Sequence, residues 1–484
     1  MSIDKEMRRG LLTALSHLPR DADQFEDENL LLRHFLPLWA HGRALEDDVM
    51  VVRGERGTGK TMLFRFLRSI GGHFELLGTI FPGARIGHPA YIDGFSGSPA
   101  HPSNDAIEGF AKQKDLVAIR KMWLIHLVGT LSSKCNRALS ERLEKVISLW
   151  RDGRSSITTW GNVEDIIAEE AMNWLDALED ARQQSSEPLV VTYDHLDRIG
   201  IFDRDVRRKS ASSLLLLWLS LSIRYRSLRA KIFIREDLFE AALASGADAS
   251  KLKARSVRLA WDADAMYRML IRSMSNQTPE LRDWIQTGQF RIDLDDKGAL
   301  LGWFPPEEFG EAKRRSFAEH LVGKYMGSSP KKGKVYTWLL DKLQDAHGAV
   351  APRSLLDLIA NAAESALRGV PRAKHSKLLT PSELTSALEA TSKRRAHEVE
   401  EEHPVVARLK SLAGINVPVA ESKVMKLLDP QPDDNMPDLS APAAFDELLR
   451  IGVLRRRADG RMDVPDIYRH GFGIKRKGGT AGVA

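Results

Sequence analysis

Gly54-Glu55-Arg56-Gly57-Thr58-Gly59-Lys60-Thr61 fits the spacing G-x-x-x-x-G-K-[ST] in full. Its setting gives the match weight. The apolar run Val-Met-Val-Val at residues 49–52 leads straight into it, and a helical stretch at residues 62–70 leaves it and stops at Gly71-Gly72, as a helix C-terminus does. The physics asks for these residue types. Glycines let the backbone curl so that successive N–H groups face phosphate oxygens, and the helix N-terminus adds partial positive charge. Gly54, Gly57, Thr58 and Gly59 line such a cradle, Lys60 reaches the β- and γ-phosphates, and Thr61 ligates Mg²⁺.

The metal needs a second carboxylate, placed at the end of a neighbouring strand. Leu189-Val190-Val191-Thr192-Tyr193-Asp194 supplies it, with Pro188 ending the helix before it. Asp194 is therefore the expected metal carboxylate. Hydrolysis also needs a group that orients the attacking water. The residue after Asp194 is His195 where an acid is usual, and the next carboxylate is Asp197, so the water is assigned to Asp197, with His195 as a group that could assist. No N-K-x-D guanine-reading motif occurs in the chain. The expected nucleotide is ATP, with Mg²⁺.

Outward from these two motifs, short apolar or β-branched runs at residues 49–52, 90–92, 189–193, 231–234 and 257–260 alternate with long helical stretches at 115–133, 163–182 and 210–226. Strands alternating with helices predict a parallel sheet covered on both faces. After residue 261 strand signals almost vanish until the C-terminus. There, runs at 453–457 and 461–464 flank Asp459-Gly460, a hairpin signal. The expected fold is α/β: a P-loop NTPase parallel sheet with a helical lid and a C-terminal winged helix-turn-helix domain. Its divisions are an N-terminal helical segment at 1–46, the P-loop domain at 47–261, the lid at 262–380 and the winged helix with its basic tail at 381–484.

Tyr193-Asp194-His195-Leu196-Asp197-Arg198 resembles the extended D-D-L-D-R Walker B of KAP and related STAND P-loop ATPases, and departs from it at His195. The strand at 231–234 ending in Arg235 resembles their sensor 1 arginine. Residues 348–358, Gly-Ala-Val-Ala-Pro-Arg-Ser-Leu-Leu-Asp-Leu, resemble the sensor 2 G-x-P-R-x-L lid signature shared with origin-recognition-type AAA+ ATPases. The resemblance implies that Arg235 senses the γ-phosphate, that Arg353 reaches the nucleotide from the lid, and that Arg255 or Arg258 is the candidate arginine finger offered to a neighbouring subunit. It also implies a Mg²⁺-dependent ATPase switch that couples nucleotide state to homo-oligomerisation or to engagement of nucleic acid or protein, in a setting such as bacterial phage defence. The alternative is a DNA-binding loader or regulator of replication or of a mobile element, with slow or structural nucleotide use; His195 keeps it open.

Composition narrows the classes further. At 484 residues the chain suits two or three domains, and 43% hydrophobic with 28% charged residues excludes wholesale disorder. The longest apolar stretch, residues 214–223, contains two serines and falls short of the ~18 residues a membrane span needs. Residues 1–20 lack a secretory pattern, so the expected location is cytoplasmic, with no membrane partner. The single cysteine, Cys135, excludes an internal disulfide and a cysteine zinc site. His397 and His403 lie six residues apart, about 600° around a helix, and do not share a face. The net charge is +5, and residues 451–484 hold all of it, eight Lys or Arg against three Asp, while residues 1–450 carry equal numbers of each sign. An acidic partner is therefore expected at the wing and tail, with double-stranded DNA as one reading and a protein contact as the other.

Overall fold

The computed structural model describes residues 4–69, 90–151, 165–183, 185, 187–200, 203–244, 248–288, 308–369, 377–428 and 439–476. The expected helix stop at Gly71-Gly72 and the tail from Lys477 lie outside them. The chain forms two compact units: Pro37–Glu55 with Gly59–Ala260, and Met1–Leu36 with Arg56–Thr58 and Trp261–Ala484.

The first unit is built on five parallel strands, β1 (Val51–Arg53), β2 (Ala90–Phe95), β3 (Leu189–Tyr193), β4 (Leu228–Ile234) and β5 (Ser256–Arg258). Their order across the sheet is β2-β3-β4-β1-β5. Every residue of β3 is buried, as expected of a strand covered on both faces. Helix α1 (Lys60–Ser69) follows β1, and α2 (Leu116–Cys135), α3 (Asp165–Arg182) and α4 (Arg204–Arg224) follow β2 and β3. Helices α2 and α4 pack on each other, with Trp123 and Trp218 buried about Tyr193 in edge-to-face contacts at 6.2 and 6.0 Å. Where β2 meets β3 the ladder slips between Asp93 and Phe95. A Cβ at Gly94 would stand 2.4 Å from Val191 Cγ1 and 2.8 Å from Tyr193 Cζ, so this approach requires glycine.

The sheet order corrects one expectation. The sequence reading places Asp194 on a strand neighbouring β1, whereas β4 lies between β1 and β3. The reason is topological. β3 and β4 are joined by the single helix α4, and a right-handed crossover sets consecutive parallel strands side by side. β1 then takes the other edge of β4. A second difference is local: within the N-terminal helical segment at 1–46, residues 28–45 form two helices, Glu28–His34 and Trp39–Leu45, interrupted at Pro37. Proline disfavours the α conformation in the residue before it, and the division between the two units falls at that bond.

Lys231, in the middle of β4, is 1% exposed, and its ammonium donates to the carbonyls of Glu46 at 2.5 Å and Val49 at 2.6 Å. It pins the turn that feeds β1. Burial pushes its pKa down to about 7, against the opposing pull of Asp47, Asp48 and Glu46. Between that value and the ordinary lysine range the unfolded chain binds the extra proton, so stability rises with pH. Unfolding free energy of the wild type relative to Lys231→Met is therefore expected to climb between pH 7 and 10 by up to about 1.4 kcal/mol per pH unit, read by urea unfolding. A pH-independent difference would refute the assignment.

The second unit is helical. Lys5–Ser16 packs along α5 (Pro352–Arg368), which packs on α6 (Pro381–Glu402), where Thr380 and Glu383 form a capping box. The chain then passes through a 3₁₀ helix, Pro404–Leu412, β6 (Asn416–Val417), α7 (Glu421–Leu427), α8 (Ala441–Ile451), β7 (Arg455–Arg456), β8 (Met462–Asp463) and β9 (Lys475–Arg476). β7 and β8 are antiparallel, and β6 pairs with β9. Three helical segments followed by a hairpin make a winged helix-turn-helix. The fold is thus an α/β P-loop sheet with a helical part and a C-terminal winged helix.

Candidate functional site

The phosphate loop is shaped by its glycines. Gly57 and Gly59 adopt φ values of +81° and +95°, a region side chains avoid. Lys60 opens α1, and its Nζ donates to the carbonyls of Gly54 at 2.8 Å and Glu55 at 2.9 Å. The ammonium thus lies over the loop it belongs to, beside a helix N-terminus whose first turn holds no acid. Such a terminus favours an anion.

Asp194 ends β3 at 4% exposure, with its N–H donating to Phe95 O at 2.8 Å. The Thr61 hydroxyl donates to its carboxylate, bringing the two expected metal ligands together. Burial drives the Asp194 pKa up, His195 and Thr61 oppose this, and the neighbouring Asp197 charge adds to it. Among the described residues Asp194 Oδ2 is buried with no hydrogen-bond partner. A buried carboxylate oxygen left over beside a threonine hydroxyl is the donor set a small hard cation takes, so these residues fit Mg²⁺.

His195 sits at φ 60°, ψ 24°, the left-handed corner between β3 and the 3₁₀ turn Leu196–Arg198. Its Nε2 lies 3.7 Å from Asp194 Oδ2. Histidine is among the few residue types enriched in that conformation. Asp197, on the turn, is half-buried and close enough to act on the Asp194 charge.

Arg235 follows β4 and is 7% exposed. Its Nε and one terminal nitrogen each lie 2.9 Å from the Asp237 carboxylate, a bidentate clamp. Asp237 went unmarked in the sequence, although an acid two residues beyond a buried arginine is the one signal that reveals it. Arg53 pairs with Glu236, which also faces Arg258 at 3.7 Å. Arg258 is exposed at the end of β5, whereas Arg255 caps the helix Ala249–Ala254 and its carbonyl accepts the N–H groups of Met50 and Val51.

Arg353 belongs to the helical unit, as do the loop residues Arg56–Thr58. Within that unit a Cβ on Gly57 would stand 3.2 Å from Arg353 Cβ, and Thr58 O accepts from Trp261 Nε1 at 2.9 Å. The Arg353 guanidinium pairs with Asp21, and with Glu398 at 3.0 Å. Arg394 bridges Asp21 and Asp357, both at 2.9 Å, and Arg395 reaches Glu398 at 3.3 Å. Arg56 pairs with Glu401 at 2.6 Å. Sequence reading missed Asp21 and Glu398, because nothing in their local pattern distinguishes them from surface acids.

At the winged helix the charge picture changes. Arg455 pairs with Asp463, Arg456 with Glu421, Arg461 with Asp459, Arg469 with Asp466, and Arg476 with both Asp463 and Asp466. Arg457 and Lys475 are exposed and form no salt bridge among the described residues. On α8 the exposed positions include Asp446, and Arg450 is held bidentate by Glu447 at 2.7 and 2.8 Å. Five arginines of the wing region are thus each paired with an acid of the same domain. Among the described residues no helix is long and apolar enough to cross a membrane.

No family model matches the chain, and no curated protein does. Among solved structures it is similar to the ORC2 protein of Aeropyrum pernix in its ADPNP–ADP complexes, at 13% identity over 92% of this chain and 94% of that one, with a TM-score of 0.40. It is similar to Cdc6p from Pyrobaculum aerophilum at 10% identity over 97% and 96%, TM-score 0.30. It is also similar to the Aeropyrum pernix ORC1 protein in complex with DNA, at 13% identity over 94% and 93%, TM-score 0.31.

Proposed function

We propose that the chain is a Mg²⁺-dependent ATPase that uses nucleotide state to control engagement of double-stranded DNA, as a loader or regulator. One observation carries the ATPase part: Thr61, at the start of α1, donates to a buried Asp194 whose Oδ2 has no hydrogen-bond partner among the described residues. The loop N–H groups and Lys60 bind the phosphates, and Thr61 and Asp194 hold the metal. Bound Mg²⁺ neutralises charge that develops on the phosphate oxygens. Asp197 or His195 orients the attacking water, and Arg235 and Arg353 read the γ-phosphate. Arg258, exposed at the sheet end, is the better placed of the two finger candidates for a homo-oligomer. The division of labour follows the segments 47–261, 262–380 and 381–484, and the expected location is cytoplasmic.

A STAND or KAP subtype and a role in phage defence rest on the motif resemblance alone. The loader reading is taken ahead of them because the winged helix is part of the fold itself. With most wing arginines paired internally, DNA contact falls to the wing edge at Arg457 and Lys475 rather than to α8. Exchanging both for alanine is expected to weaken binding to a 30-bp duplex by about tenfold and to flatten the log-affinity against log-salt slope by about 1.8. An unchanged slope, measured by fluorescence anisotropy across a salt series, would turn the winged helix toward a protein partner. Phosphate release from ATP that requires added Mg²⁺ tests the enzymatic half.

A further inference from the structure

We propose that the basic hairpin at residues 324–334 is a second docking surface for duplex DNA, one that grips the phosphate backbone without reading its sequence. The inference rests on the reading of the chain as a DNA-engaging ATPase and adds a contact that the winged helix does not supply. Every residue that carries it belongs to the helical unit.

Residues 324–334 read Lys-Tyr-Met-Gly-Ser-Ser-Pro-Lys-Lys-Gly-Lys, and no acid occurs between residues 320 and 340. From composition alone such a stretch is a solvated turn. In the fold it is a closed hairpin. The Met326 N–H donates to Gly333 O at 2.9 Å, the Val335 N–H donates to Lys324 O at 3.1 Å, and Tyr325 and Lys334 form an antiparallel bridge. Across the tip the N–H groups of Lys332 and Gly333 donate to the carbonyls of Ser329 and Pro330, both at 3.1 Å. Gly333 stands at φ +88°, where a side chain would be strained. The stem of Lys332 lies against Gly327, whose missing Cβ would meet its Cγ at 2.9 Å. The backbone that carries the lysines is thus ordered before any ligand arrives, so binding need not order it.

Lys324, Lys331, Lys332 and Lys334 are all exposed, and none forms a salt bridge among the described residues. Lys324 and Lys334 lie 5.4 and 5.7 Å from the ring centroids of Tyr325 and Tyr336, contacts that orient the charge without cancelling it. Glu311, an acid that feels the Lys334 charge, already accepts from the Tyr336 hydroxyl at 2.5 Å and also faces Arg314 and Arg315. The wing arginines are matched by acids of their own domain, and these four ammonium groups are not. Their chemistry suits phosphate: an ammonium is a compact point charge, whereas the bidentate fork that best fits a carboxylate belongs to arginine. A protein partner would need apolar area at the centre of the contact. Among the described residues no large apolar side chain is exposed between residues 308 and 341.

The hairpin runs into the seven-residue helix Val335–Asp341, and the chain just past that helix is tied to the winged helix. Lys342 pairs with Asp466 at 2.7 Å, the Ala346 N–H donates to Gly452 O at 2.8 Å, and His347 Nε2 lies 3.0 Å from Arg450 O. A helix of that length spans about 10 Å, over which a duplex carries about six phosphate charges. One short duplex is therefore long enough to meet both the hairpin and the winged helix.

The test is the salt dependence of binding by the full chain, read by fluorescence anisotropy on two labelled 30-bp duplexes of unrelated sequence. Combined Lys331→Gln, Lys332→Gln and Lys334→Gln substitutions are expected to weaken both duplexes equally, by about tenfold or more at 0.1 M salt, and to flatten the log-affinity against log-salt slope by about 2.7. Arginine at the same three positions is expected to keep the slope. Lys5→Gln, Lys134→Gln and Lys145→Gln together remove the same charge from exposed positions elsewhere and are expected to leave it unchanged. A slope untouched by the hairpin substitutions overturns the inference and leaves the patch to an acidic protein surface. So does an equal loss in the control variant, or a loss confined to one of the two sequences. Failure of the underlying reading looks different: the wild-type chain then binds neither duplex at any salt concentration.

Discussion

Lys60→Ala is expected to weaken ATP binding at least ~100-fold, about 2.7 kcal/mol or more, and so to abolish turnover at ordinary nucleotide concentrations. The ammonium is anchored on the carbonyls of Gly54 and Glu55, so it is held over the loop before any phosphate arrives. Little side-chain order remains to be lost on binding. Each charge-assisted contact to phosphate in a site walled by buried strands exceeds a neutral one, and alanine removes all of them together. The loop glycines keep their left-handed geometry without the lysine, so circular dichroism and thermal unfolding should change little. Wild-type affinity in a folded Lys60→Ala protein would remove the cradle from the reading.

Asp194→Asn is expected to separate binding from chemistry: ATP affinity stays within a few-fold, while phosphate release falls by roughly 10²–10³. The amide keeps the carboxylate's shape but cannot supply the anionic oxygen that is buried without a hydrogen-bond partner among the described residues. The same substitution should not destabilise the fold. Burial raises the Asp194 pKa, so between its unfolded and folded values the native state binds the extra proton and stability falls as pH rises. The ionised form of Asp194 is therefore a cost to folding, and a neutral amide of equal size removes it. An unchanged or higher Tm with lost turnover marks a residue kept for function. A Tm lowered in step with activity would make Asp194 a structural residue instead.

Much of this site was legible because its parts are local. The eight residues from Gly54 to Thr61 are contiguous, and the backbone angles they need follow from glycine itself. β3 stood out because a strand buried on both faces must be an unbroken apolar run. His195 was visible as a departure from an acidic neighbour. Its left-handed corner was not, since the strand end and the 3₁₀ turn impose it together.

The sequence by itself determined the phosphate loop, the strand carrying Asp194, the helical character after residue 261 and the wing hairpin at Asp459-Gly460. Each is set by backbone preference and the spacing of apolar residues over a dozen positions or fewer. Tertiary structure alone decided that β4 separates β1 from β3, that Arg235 is clamped by Asp237, that Arg353 is shared between Asp21 and Glu398, and that the arginines of the wing are mostly neutralised within it. Those outcomes depend on which charges packing brings within hydrogen-bond reach. A charge carries no mark in the sequence of the partner it will meet, because Coulomb attraction acts through the folded distance and not along the chain.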